Sequence, residues 1–203
     1  MQSVANKMLM RIRVRGRGWA FTKVDFVGQF SEASIHRALS TLSESGAIRR
    51  VSHGVYDYPL VSKKLGRQLG PDIDQVACAL ARKFGWRIQA SGDAALNLLG
   101  LSNQVPGRWV YLTDGPSRDY DVLGTVLSFR RTPLKEFGFK EPLSGLFVQA
   151  IKALGPERVD RGVIKRLSSR LAPESRPRLL RETRQVAGWI YQVIKDLCAE
   201  GSP

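Results

Sequence analysis

Apolar side chains recur every three or four residues in several separate stretches of this chain, with short alternating runs between them. Val4, Met8 and Ile12 share one stripe and predict a first helix over Ser3 to about Val14. Arg15-Gly16-Arg17-Gly18 interrupts it, and Trp19-Ala20-Phe21 reads as a short strand. Thr22 is placed to cap a second, short helical run through Phe30. Ser31 opens a third helix, in which Ile35, Ala38, Leu39 and Leu42 form one apolar face. Glu32, Ala33, Ser34, His36, Arg37 and Ser40 lie on the other face, and Gly46 ends the helix. Ile48 to Tyr56 then folds back as a hairpin turning at Ser52-His53-Gly54. That order predicts a winged helix-turn-helix over Thr22–Tyr58, with the third helix as the reading element.

Beyond Pro59 the periodicity loosens. Residues 61–71 are basic, glycine-bearing and end in Pro71, which suits a linker between a first domain over 1–60 and a second over 72–203. Asp72 or Asp74 is placed to cap a helix through Val76, Ala77, Leu80, Ala81 and Phe84, closed by Gly85. Trp86–Gln89 alternates like a strand, and Ser91 is placed to cap a helix ending at Leu99. Arg108–Thr113 and Leu123–Arg130 read as strands separated by a polar turn around Asp114-Gly115-Pro116. From Pro142 the chain reads as helices, the last running from Leu179 to Leu197. The expected class is α+β: an N-terminal winged helix-turn-helix followed by a mixed α/β C-terminal domain ending in helices.

Charge adds a partner to this outline. Thirty-two Lys and Arg against 18 Asp and Glu give a net charge of +14. Residues 1–70 hold 12 basic and 4 acidic side chains, residues 71–150 hold 9 and 8, and residues 151–203 hold 11 and 6. The positive field sits at the two ends, and the first end coincides with the reading unit. The expected partner is double-stranded operator DNA. Cys78 and Cys198 lie far apart without a histidine cluster, so reduced, buried thiols are expected rather than a zinc site. No metal or cofactor is expected, no apolar run has the roughly 20 residues of a membrane span, and Met1–Met10 lacks the order of a secretory signal. A cytoplasmic protein is the expectation.

The expected DNA contacts are Lys23, Ser31, Ser34, His36 and Arg37 around the third helix, and Arg49, Arg50, Ser52 and His53 on the hairpin. Arginine forks match guanine edges, and Ser and His bond bases or phosphates. Ser31 is equally a simple helix cap, and a basic hairpin is equally a solvated one. Arg158, Arg161, Lys165, Arg166 and Arg170 fall three to five apart and offer a possible second basic surface, or a plain solvated helix face. Asp119 and Asp121, two apart, are the only pair suggestive of metal-dependent nucleotidyl transfer. The Gly-Ser turn such enzymes place shortly before the pair is missing, and no catalytic residue is assigned: the chain is read as a non-enzyme.

Together with the N-terminal unit, the block Gly85-Trp86-Arg87-Ile88-Gln89-Ala90-Ser91-Gly92-Asp93-Ala94-Ala95-Leu96-Asn97-Leu98-Leu99-Gly100-Leu101-Ser102-Asn103-Gln104-Val105-Pro106-Gly107, followed by Tyr111-Leu112-Thr113-Asp114-Gly115, resembles the AbiEi-type antitoxins of type IV toxin–antitoxin systems. The resemblance covers about residues 3–170. It implies a transcriptional repressor whose winged unit binds inverted repeats upstream of its own operon. It also implies a second domain that counteracts a companion nucleotidyltransferase-like toxin, often without a stable complex. By position, the family's reading helix falls on Ser31–Ser45 and its wing on Ile48–Tyr58. Direct binding of the toxin as a protein-interaction module is the alternative.

Overall fold

The structure, a computed structural model, describes residues 3–200. It is a mixed α/β chain that divides into two compact units. Helix α1 (Val4–Arg15) starts where the Ser3 hydroxyl accepts the Asn6 amide. Strand β1 (Ala20–Phe21) follows, then a single 3-10 turn, Lys23–Phe26. Thr22 and Asp25 close that turn with a reciprocal capping box. The second helix expected from the sequence is therefore one turn long: Val27 is extended and Gly28 takes φ +83°. Helix α2 (Glu32–Glu44) and strands β2 (Arg49–Ser52) and β3 (Val55–Asp57) complete the series. The strands form an antiparallel sheet ordered β1-β3-β2, with Ala20 opposite Asp57 and Arg50 opposite Tyr56. Met8, Ile12, Phe21, Phe26, Ile35, Leu39, Leu42 and Ile48 make the buried core beneath it, so the apolar stripes read from the sequence are the ones the fold removes from water.

The domain boundary differs from the expected one. Residues 61–71 carry a small hairpin of strands β4 (Val61–Ser62) and β5 (Arg67–Gln68). Helix α3 (Ile73–Phe84), capped by Asp72 and closed by Gly85 at φ +69°, packs on β1, β3 and the 3-10 turn. The first unit thus extends to Ile88 and takes in Asp119–Leu127. Arg82 is the clasp: its Nε donates to Asp25 Oδ1 at 2.7 Å and its Nη2 to the Ala20 carbonyl at 2.8 Å. Its guanidinium also stands 6.0 Å from the Trp19 ring centroid.

A four-stranded sheet ordered β6-β7-β9-β8 is made of β6 (Ile88–Ser91), β7 (Arg108–Thr113), β8 (Arg118–Val122) and β9 (Thr125–Arg131), with α4 (Gly92–Leu98) following β6 in the chain. Ser91 stands at the N-cap of α4, but its hydroxyl donates to the Val110 carbonyl instead of capping. Leu123, expected within a strand, sits at φ +50° in the tight turn between β8 and β9, beside Gly124 at φ +87°. Helices α5 (Pro142–Leu154), α6 (Arg161–Ser168), α7 (Arg176–Glu182) and α8 (Gly188–Ala199) follow. The single final helix expected over 179–197 is two, because the chain leaves helical geometry after Glu182 and restarts at Gly188. The second unit's core gathers Leu96, Leu99, Phe147, Ile151, Leu167, Ile194 and Leu197.

Within that core α5 is buried along most of its length, and Gly145 is where it admits a neighbour. A Cβ there would lie 2.1 Å from the Gln89 amide, which in its satisfied orientation bonds the Pro142 carbonyl and the Leu146 amide at 3.1 Å each. Gly145→Ala is expected to cost about 2 kcal/mol by overpacking in urea unfolding. Gly188→Ala meets open space and is expected to be neutral or to stabilise by roughly 0.5 kcal/mol. Equal effects of the two would remove the close approach as the reason for Gly145.

Candidate nucleic-acid interface

The entry to α2 is tied down by its own polar residues. The Ser31 hydroxyl accepts the Ser34 amide at 3.3 Å and donates to the Ser34 hydroxyl at 2.8 Å. Two of the three serines expected to meet DNA, Ser31 and Ser34, are thus engaged with each other at the helix entry. The Lys23 ammonium donates to the Glu32 carboxylate, and His36 Nε2 lies 3.7 Å from the same oxygen. The Lys23 hydrogen bond, with its charge and the weaker help of His36, holds the Glu32 carboxyl below its usual range. Lys23 therefore joins the 3-10 turn to α2 and is not the free cation the sequence suggests. His36 and Arg37 are exposed, and Arg37 has no ion-pair partner among the described residues. Thr41 donates its hydroxyl to the Arg37 backbone carbonyl at 3.0 Å.

On the hairpin the structure separates two adjacent arginines. Arg49 stands opposite Asp57 in the ladder. Its Nε and Nη2 donate to the two carboxylate oxygens at 3.1 and 2.5 Å, and its Nη1 donates to the Leu69 carbonyl at 2.8 Å. Asp57 is 1% exposed, so this bidentate pair is a buried structural contact. Arg49, expected from the sequence as a DNA contact, is instead occupied within the fold. A sequence signal existed: an acid eight residues on, across a two-residue turn, is the cross-strand position. Arg50 points to the other face, exposed, with its Nη2 3.1 Å from His53 Nδ1. A bulge between Arg50 and Ser52 and the turn glycine Gly54, at φ +68°, carry His53 to the exposed tip, while Ser52 is half-buried.

Two arginines of α1 and one in the loop after it lie on aromatic rings. Arg11 stands 5.4 Å from the Phe30 centroid, Arg15 5.7 Å from Trp19 and Arg17 4.5 Å from Tyr58. Arg17 also donates to the Pro59 carbonyl at 2.8 Å. These cations are held in place, so they form a fixed rim and not a mobile cloud.

The expected second basic surface loses one member. Arg158 donates to the Leu154 and Ala153 carbonyls at 2.6 and 2.7 Å, closing the C-terminus of α5. Arg161, Lys165 and Arg166 on α6, with Arg170 beyond it, are exposed and have no ion-pair partner among the described residues. Asp119 and Asp121 are exposed on β8, and Asp121 accepts the Gly124 amide in the turn at 3.4 Å. Among the described residues no three His, Cys, Asp or Glu side chains gather as a metal site. Burial first, then the Asp74 carboxylate, raises the Cys78 thiol to about 11, and burial raises Cys198 as well. Neither is an activated nucleophile. No described helix is long and apolar enough to cross a membrane.

The model of a family described as "Family of unknown function (DUF6088)" matches residues 7–179, and the chain belongs to that family. The crystal structure of the RV2827C protein from Mycobacterium tuberculosis is similar at 17% identity, covering 100% of this chain and 78% of that one, with a TM-score of 0.44. None of the curated proteins matches.

Asp57→Asn removes one charge of a buried pair and leaves Arg49, 22% exposed, to be resolvated. Removing a partner from a fully buried pair costs about 3–5 kcal/mol, and partial exposure reduces this to about 2 kcal/mol. Urea unfolding checks it. An unchanged midpoint would mean that water serves Arg49 as well as the carboxylate does.

Proposed function

We propose that the chain is a sequence-specific double-stranded DNA-binding protein whose first unit is a winged helix-turn-helix. In this reading α2 enters the major groove and the β2–β3 hairpin is the wing. The carrying observation is that Arg37, with His36 beside it, lies exposed near the start of α2 and has no acidic partner among the described residues. Arg50 and His53 at the hairpin tip supply the second contact. An α-helix fits the roughly 12 Å major groove, and an arginine fork reads the O6 and N7 of guanine. The wing and the arginine rim would fix register on phosphates without reading sequence. Lys23, Ser31 and Ser34 support the reading helix, and the reading gives the chain no catalytic step.

The wider role is proposed with it: a repressor that acts at its own promoter and counteracts a nucleotidyltransferase-like toxin. That part rests on the resemblance of the Gly85–Gly107 block to AbiEi-type antitoxins. One observation favours direct contact with an acidic partner protein as a second reading: the unpaired cations Arg161, Lys165, Arg166 and Arg170. If it holds, co-purification with the neighbouring gene product is lost on Arg161→Glu with Arg166→Glu, and clean separation of the unaltered proteins rejects it.

Fluorescence anisotropy with the DNA upstream of the gene tests the DNA reading. Arg37→Ala is expected to cost about 1–3 kcal/mol on the preferred sequence and to blunt discrimination against scrambled DNA. Arg50→Ala is expected to weaken all sequences alike and to reduce the salt slope by about one. Binding that ignores both sequence and Arg37→Ala would defeat the proposal.

A further inference from the structure

We propose that a cleft within the second unit binds a mononucleotide, a phosphorylated small molecule with a heterocyclic body. The cleft is a cavity of about 610 Å³, inside the roughly 300–1,000 Å³ range of small-molecule sites. The 3-10 turn Leu134–Glu136 and the following residues through Lys140 form one wall. Helix α5, the end of α7 and the start of α8 form the rest. Its floor is apolar, with Val148 and Ile190 buried and Phe139 half-buried.

Four cations line it: Lys135, Lys140, Lys152 and Arg181. All four are exposed and none has an ion-pair partner among the described residues. The acids present are Glu136 and Glu182, and Glu182 already accepts the Glu141 amide at 3.1 Å. Positive charge therefore exceeds negative around an apolar floor, which is the chemistry of an organic anion site.

Gln149 points to the organic part. It is 5% exposed, it lines the cleft, and its amide bonds to no described residue. Its neighbours Val148, Ala150 and Ile151 are buried apolar core. With no partner among the described residues and the rest of the residue buried, the amide is directed to the cleft, where a ligand can bond it. Its carbonyl and NH₂ present an acceptor beside donors, the complement of a nucleobase edge. A base over the floor against Gln149, with its phosphate among the lysines and Arg181, matches both the polar and the apolar lining of the cleft.

The inference does not rest on DNA binding, because the ligand is titrated into the intact protein alone. Calorimetry with AMP and GMP is expected to show saturable binding of at least one, with the nucleoside and inorganic phosphate each about tenfold weaker or more. Lys152→Ala with Arg181→Ala, both at exposed positions, is expected to weaken the nucleotide at least about tenfold while leaving thermal unfolding cooperative. Gln149→Leu keeps the volume and is expected to erase the advantage of nucleotide over phosphate without loss of stability. Three results overturn the proposal: no saturable binding at millimolar nucleotide, phosphate binding as tightly as nucleotide, or nucleotide binding unaffected by the double substitution.

Discussion

A carboxylate with almost no access to water, Asp57, organises the first unit. It lies on the central strand of a three-stranded sheet, opposite Ala20 on one side and Arg49 on the other. A buried charge needs a partner close enough to replace its lost hydration, and Arg49 supplies a two-pronged one. The same guanidinium reaches the Leu69 carbonyl, so one residue ties the hairpin to the segment that precedes α3. With Arg49 drawn inward, strand alternation turns Arg50 outward. The proposed wing owes its orientation to a contact that itself never meets DNA.

The elements most legible in the sequence were those whose burial imposes a period. The stripe Ile35, Ala38, Leu39 and Leu42 is buried as its spacing requires, and Thr22 and Ser31 cap where their chemistry suggests. Strand β8 hid because its inward face holds only Tyr120 and Val122, too short an alternation to stand out beside Arg118, Asp119 and Asp121. The unit boundary was misplaced for another reason. Nothing local to Arg82 reveals that its partners lie at Asp25 and Ala20, since long-range contacts leave no imprint on nearby spacing.

The candidate site was legible as a region and less so residue by residue. Counting charges treats every arginine alike, whereas the fold assigns them different work. Arg49 neutralises a buried acid, Arg158 closes a helix, and Arg11, Arg15 and Arg17 rest on aromatic rings. Arg37 and Arg50 have no acid to satisfy among the described residues. Net charge measures attraction to a polyanion, but only partner geometry tells which cations are at liberty to provide it. Gln149 carried no sequence signal, because a lone amide in an apolar helix becomes informative only once its surroundings are known.

The first unit is discontinuous, closing with Asp119–Leu127 after an excursion through Gln89–Arg118. During synthesis, then, its last piece is made some thirty residues after Ile88, across Gln89–Arg118. At about 5–20 residues per second that interval lasts a few seconds. For that time the nascent chain carries an incomplete module on the ribosome, and assembly of this protein cannot proceed strictly from its amino end.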